Sequence, residues 1–273
     1  MKNDKNIQPS PTSLSKAERC GMIAFALAVM LAAVNLRLAT VPLTLFLMLC
    51  AMAPFSPRIG FFFPVISRGH TAMPVVALTF DDGPDPVTTP RLLELLGKYH
   101  VPATFFVIGG RAAVYPHLVR AIIAQGHEVG NHSFHHNRYR MFCQPRLLEH
   151  EITATQRVLA PLGIVPLAFR PPIGITTPFM GKVLAARNLV AVNFSCRAFD
   201  GGNRRIGRLA KMILSHVKPD DIVLLHDSIP GPGQPIGQWL GEIEKILQGL
   251  SEKELTPVSL SRLIGRPVMH RRV

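Results

Sequence analysis

The sequence predicts an α/β domain built on a mostly parallel sheet, carried behind an N-terminal apolar region long enough to enter a membrane. Three observations lead there. From Pro74 onward, short β-branched and aromatic runs alternate with longer stretches of helical periodicity, the pattern of repeated βα units. Polar and titratable residues gather just after the short runs. Before Pro74, Cys20 to Phe55 is almost wholly apolar, broken only at Asn35-Leu36-Arg37, and the mean hydropathy of the 273 residues is +0.24.

Residues 1–19 are polar, contain Pro9 and Pro11, and are expected to be a disordered tail. Residues 20–55 form the membrane region. As one helix they would reach roughly 54 Å at 1.5 Å per residue, well past a hydrocarbon core of about 30 Å. Divided at the break, 20–36 and 38–55 each approach the length of a span. The preferred reading is a helical hairpin with Arg37 at the far surface and Arg19 and Arg58 at the near one. The positive-inside rule then places the tail and the following domain on the cytoplasmic side. A single span with an interfacial second segment would place the domain outside, and a signal peptide cleaved near Ala51-Met52-Ala53 would release it. Residues 56–73, with Phe61-Phe62-Phe63-Pro64, are expected to be a juxtamembrane linker.

Within the domain, strands are predicted at 75–80, 103–108, 128–131, 168–170, 189–194 and 222–226. Helices are predicted at 89–99, 112–125, 145–159, 178–187, 206–217 and 235–250. Leu92, Leu95 and Leu96 recur at i, i+3, i+4, as on a helix packed against a sheet. The domain is taken as 74–267, with a basic tail at 268–273. No repeat of fixed period is present, which excludes a solenoid.

Net charge is +13, divided +5 before residue 75 and +8 after it. This suits a chain held near anionic headgroups, with membrane lipid as a partner. No Lys/Arg block, zinc-finger spacing or RNP-like motif accompanies it, so no nucleic-acid partner is expected. No obligate protein partner is expected either. Of the four cysteines, only Cys143 and Cys196 lie in the domain, without CxxC spacing, and free thiols are expected.

The loops after the C-terminal ends of parallel strands converge on one face. Asp81-Asp82 ends the first predicted strand, His132 and His136 follow the third, Arg170 ends the fourth, Asp200 follows the fifth, and His226-Asp227 ends the sixth. One carboxylate and two imidazoles, Asp82, His132 and His136, suit a divalent ion such as Zn²⁺ with positions left open for water and substrate. His135 is a rival for the second imidazole. Asp81 can take a proton from water activated by the ion, and His226 can give one to a leaving amine. Arg170 would hold Asp81, and Asp200 would keep His226 protonated, separating base from acid. Simpler readings exist for each residue: Asp-Asp-Gly-Pro as a turn, Arg170 answering a buried acid, His226-Asp227 as a helix cap. All of them would have to coincide on one face of one sheet.

Thr79-Phe-Asp-Asp-Gly-Pro84, His132-Ser-Phe-His-His136, Arg170-Pro-Pro-Ile-Gly174 and Leu224-Leu-His-Asp227 resemble, in order, the motifs of the NodB-type polysaccharide deacetylases, carbohydrate esterase family 4. The resemblance covers about residues 74–265. It implies a distorted (β/α) barrel with fewer than eight repeats and hydrolysis of N-acetyl groups on amino sugars. It also implies Asp81 as base, Asp82, His132 and His136 as ligands of one divalent ion, usually zinc, and His226 as acid. Arg170 would tether the base, Asp200 would orient the acid, and the backbone N–H of Ile173 would meet the oxyanion.

Two positions depart from the pattern. Ile173 stands where the family usually has an aromatic, and Gly201 follows Asp200 where a Trp is usual. The catalytic set is complete while the sugar groove is altered, so the expected substrate is an unusual amino sugar, lipid-linked or small and presented at the membrane. Two alternatives stand beside this: a metal-dependent O-acetyl esterase, and a catalytically silent carbohydrate-binding or assembly protein.

Overall fold

The computed structural model describes residues 14–56, 59–137 and 144–272. The predicted tail to residue 13, Arg58, and Cys143 lie outside them. Helix α1 spans Lys16–Ala32 and α2 spans Leu36–Met52. The first helix starts four residues before the predicted apolar edge because Ser15 and Glu18 form a capping box, which satisfies N–H groups at the helix start. Residues 16–19, expected in the disordered tail, are therefore helical. The chain reverses at 33–35, and Asn35 caps α2 by accepting from Arg37 N at 2.8 Å. Arg37 thus sits in the first turn of α2 rather than in the break. The helices lie against each other, with the Phe46 ring over Gly21. One stretch, Leu36–Phe55, is long and apolar enough to cross a membrane, and 11% of its apolar window is buried. One such helix is consistent with a membrane-associated N-terminal segment.

The domain is a (β/α) half-barrel. Its strands are β1 (Val65–Ile66), β2 (Val75–Asp81), β3 (Ala103–Val107), β4 (Glu128–Asn131), β5 (Ile164–Pro166), β6 (Ala168–Phe169), β7 (Val190–Val192), β8 (Cys196–Arg197), β9 (Ile222–His226), β10 (Thr256–Pro257) and β11 (Met269–Arg271). The main sheet runs β1-β7-β6-β4-β3-β2-β9-β8, with β10 added beside β2. Its ladders are parallel. The helices are α3 (Thr88–Lys98), α4 (Gly109–Val114), α5 (Pro116–Ala124), α6 (Pro145–Leu159), α7 (Met180–Ala185), α8 (Leu209–His216), α9 (Ile236–Glu252) and α10 (Leu260–Ile264). The single helix predicted at 112–125 is two, because Pro116 cannot continue the hydrogen bonding of the preceding turn.

Two segments expected outside the domain pair with its strands. The linker 56–73 supplies β1 at the sheet edge, and Arg68 pairs with buried Asp221. The basic tail 268–273 supplies β11, antiparallel to β5. Both runs are too short to read as strands alone, and each is fixed by a partner distant in sequence.

Side chains alternate across β2, and this places the site. Val76, Leu78 and Phe80 join the outer core with Leu92, Leu96, Phe105 and Trp239. Val75 and Ala77 join the inner core with Phe106, Ile222 and Leu224. By the period of two, Thr79 and Asp81 continue the inner row upward. In β9, Ile222 and Leu224 continue to His226. Asp81 and His226 are register partners, so an apolar floor rises on neighbouring strands into one carboxylate and one imidazole.

Candidate active site

Asp81 closes β2, and Asp82 follows at φ +72°. That left-handed turn re-aims the second carboxylate relative to the first. Gly83 comes next against the Asp227 carboxylate; a Cβ at this glycine would fall 2.4 Å from Asp227 Oδ2, so only glycine fits.

His132 and His136 lie in the loop after β4. The His132 Nδ1–H donates to Arg170 O at 2.8 Å, leaving Nε2 to face the carboxylates. His132 Nε2 is 3.6 Å from Asp82 Oδ1 and 3.8 Å from Asp81 Oδ2, and His136 Nε2 is 3.3 Å from Asp82 Oδ1. The candidate ligand atoms of Asp82, His132 and His136 all lie within 4.8 Å of one another. Asp82 Oδ1 is buried and has no hydrogen-bond donor among the described residues, a costly state unless a cation completes it. The donor set therefore fits a divalent ion. Burial raises the Asp82 carboxyl, but His132, His136 and His226 outweigh this and hold it far below the usual range. Burial lowers the His132 imidazole, and Asp81 and Asp82 more than reverse it. Such a field favours a proton or a metal at the same nitrogen.

His135, the rival ligand, points away. Its Nδ1 is 2.7 Å from Glu151 Oε1, while Glu151 Oε2 accepts from the N–H groups of Phe134 and His135. Glu151 thus clamps the histidine loop from α6, a role the sequence reading missed. A signal existed, since Leu148, Glu151, Ile152 and Thr155 share the buried stripe of α6, and an acid there needs a partner.

Arg170 follows β6 and is fully buried. Its Nη1 donates to Asp81 Oδ1 at 2.7 Å and Thr79 Oγ1 at 2.8 Å, its Nη2 to Asn193 O at 3.0 Å, and its Nε to Val192 O at 3.3 Å. The guanidinium also lies 4.0 Å from the Phe106 ring centroid. Arg170 occupies Asp81 Oδ1, so Oδ2 is the oxygen left toward the metal cluster.

His226 Nδ1 is 2.9 Å from Asp200 Oδ2. Burial lowers this imidazole, but the Asp200 hydrogen bond and charge, helped by Asp82 and Asp81, raise it to about 9. Burial raises the Asp200 carboxyl, and His226 together with the Asn203 N–H lowers it overall. Asn203 binds the two strand-end loops together through His226 O and Ser228 O. Asp227 begins no helix; it accepts from Thr88 Oγ1 at 2.7 Å and Thr89 Oγ1 at 2.6 Å. Burial lifts its carboxyl to about 7 against those hydrogen bonds.

Ile173 has φ +55°, a left-handed conformation unusual for a β-branched residue. Its side chain is 48% exposed at the rim. Gly174 O, beside it, accepts from Asn193 Nδ2 at 3.1 Å.

Residues 68–192 match the model of a family described as polysaccharide deacetylase. The chain is 36% identical over 210 residues to a chitooligosaccharide deacetylase of Sinorhizobium fredii, covering 76% of this chain and 91% of that protein. It is 34% identical over 192 residues to a peptidoglycan-N-acetylglucosamine deacetylase of Bacillus cereus, covering 70% and 88%. Its fold superposes with TM-score 0.70 and 28% identity on a crystal structure of a peptidoglycan N-acetylglucosamine deacetylase in complex with a naphthalenyl N-oxidanyl-benzamide, covering 79% and 99%. Matching family model, relatives and half-barrel, together with the buried Asp-His-His cluster at the strand ends, establish that this chain belongs to the polysaccharide deacetylase family.

Proposed function

We propose that the chain is a metal-dependent deacetylase that hydrolyses the N-acetyl group of an amino sugar in a lipid-linked or small glycoconjugate held at the membrane. The Asp82–His132–His136 cluster, with Asp81 and the His226–Asp200 pair on the adjoining strands, carries this reading. Two imidazoles and one carboxylate are the donor set expected for zinc. When bound there, the ion would supply Lewis acidity toward the acyl carbonyl and toward water.

The chain's own residues divide the proton work. Asp81 accepts the proton of the attacking water at Oδ2, because Arg170 holds Oδ1. His226 enters protonated and gives its Nε2 proton to the nitrogen as the C–N bond breaks, while Asp200 holds Nδ1. The Ile173 N–H donates to the oxyanion, and its strained backbone supports a positioned donor. Acetate and a free amine are the products.

The names of the relatives support an amino-sugar substrate. Ile173 and Gly201, in place of groove aromatics, and the helix Leu36–Phe55 support presentation at a membrane, with α1 and α2 as a hairpin and the domain on the cytoplasmic side. The test is acetate release by the full chain from N-acetyl and O-acetyl sugars in parallel, with bound metal measured alongside. About one zinc per chain, lost in Asp82→Ala and His132→Ala together with N-deacetylation, is expected. A folded protein that binds no divalent ion, or that cleaves only the O-acetyl sugar, would overturn the proposal.

A further inference from the structure

A cavity of about 780 Å³, whose lining includes none of Asp82, His132 and His136, lies between the end of α2 and two loops of the domain. Its volume is in the range of ligand pockets, about 300–1,000 Å³. Pro54, Phe55 and Ile59 form one side; Ile173, Phe194 and Met212 form the other. The α2 side continues the apolar helix Leu36–Phe55. It is tied to the domain by Thr176 N donating to Pro54 O at 3.5 Å, and the start of α1 is tied to the following segment by Ala17 N donating to Phe61 O at 3.0 Å. The domain side continues into the site, with Ile173 three residues after Arg170 and Phe199 immediately before Asp200. One cavity therefore touches both the segment suited to the bilayer and the two loops that carry the Asp81 tether and the His226 partner.

Its chemistry is uneven. The lining is mostly apolar, and among the described lining residues the charged or titratable side chains are Cys196, Arg197 and His216. The Arg197 guanidinium lies 4.1 Å from the Phe199 ring centroid and 5.4 Å from that of Phe194. Phe199 is 60% exposed and holds φ +55°, a conformation that bulky residues avoid unless the surroundings impose it. A mostly apolar cavity wall that includes an arginine beside two aromatic rings suits a hydrocarbon chain joined to an anionic group.

We infer that this cavity holds the hydrocarbon chain of a lipid-linked amino-sugar substrate, with Arg197 taking its phosphate linkage and Phe199 standing between chain and sugar. The inference rests on the deacetylase reading above.

The test is photolabelling of the full chain in phosphatidylglycerol nanodiscs with a diazirine-bearing farnesyl phosphate. Labels on peptides containing 54–56, 173–175 and 194–212, displaced by unlabelled farnesyl phosphate, are expected. Met212→Trp, which fills the cavity, should lower that labelling roughly tenfold, the equivalent of about 1.4 kcal/mol. Arg197→Glu, an exposed change that leaves the core intact, should weaken competition by farnesyl phosphate but not by farnesol. Labels confined to the lipid-facing side chains of α1 and α2, or labelling unchanged in both variants, would overturn the inference. So would displacement by added phosphatidylglycerol as effective as that by farnesyl phosphate, because a bulk lipid would then be the occupant. Labelling requires no turnover. Loss of acetate release with cavity labelling intact would count against the reaction alone, and the reverse result against the chain site alone.

Discussion

Replacing Asp200 by Asn removes the charge beside the proposed acid, His226, while keeping the geometry, because the amide oxygen can still accept from His226 Nδ1 and Asn203 N, now at 2.9 and 2.8 Å. In the native site His226 titrates at about 9, with Asp200 the first of the groups that raise it against burial. At pH 8 an imidazole of that value is roughly 90% protonated, whereas one at its ordinary 6.5 is about 3% protonated, a difference of about thirtyfold. At pH 5.5 both are more than about 90% protonated. The variant should therefore lose most of its kcat at pH 8 and little at pH 5.5, with the alkaline limb of the pH–rate profile moved acidward by at least about one unit. An ion held by Asp82, His132 and His136 would lower the imidazole of both proteins, so the comparison reads the direction in which the limb moves between them. Stability follows the same sign: a raised imidazole stabilises the fold fully below pH 6.5, and this is lost as pH rises through 9. The stability gap between native protein and variant should close over that window in urea titrations. An even fall in rate at every pH, with the limb unmoved, would refute the assignment of Asp200 as the group that keeps His226 charged.

Three further outcomes follow from buried contacts. Arg170→Met strands the Asp81 carboxylate and should cost about 3–5 kcal/mol in urea unfolding. In an Asp81→Asn background that cost should shrink by at least about 1 kcal/mol, and an unchanged cost would show that Arg170 acts through packing alone. Glu151→Ala removes the acceptor for two backbone donors and His135; chelator competition should show metal affinity weakened by about 10- to 100-fold, with His135→Ala alone having a smaller effect. Asp227→Ala leaves the Thr88 and Thr89 hydroxyls without their shared acceptor and should cost about 1–3 kcal/mol. Because the Asp227 carboxyl ionises near 7 when folded and near 3.8 otherwise, it should erode stability as pH rises between those values, and Asp227→Asn should be free of that slope.

The βα alternation and the four motifs were legible in the sequence because both depend on short-range regularities. The period of Leu92, Leu95 and Leu96 identified a helix that packs on the core, and polar residues at strand ends marked one face before any strand was paired. Glu151 stayed unread because its meaning lies in the His135 loop across α6. The edge strand Val65–Ile66 and the closing strand Met269–Arg271 were assigned to linker and tail because three or fewer residues carry no period. A helix cap stood as the simpler alternative for Asp227 because a carboxylate after a strand looks alike whether it meets a helix start or two threonines from another loop.

What the sequence determined by itself was the class of fold, the apolar N-terminal region and the residue types able to bind a metal and move protons. These are properties of spacing and composition, which survive without coordinates. Tertiary structure decided which histidine joins Asp82, which oxygen of Asp81 faces the cluster, and that Arg170, itself held by Thr79 and Asn193, fixes it there. It also decided that the end of α2 closes a cavity against the loops of Ile173 and Phe199. Those choices depend on strand register and on side chains that meet from distant parts of the chain, as Arg170 and Asp81 do at a separation of 89 residues, where no local pattern constrains them.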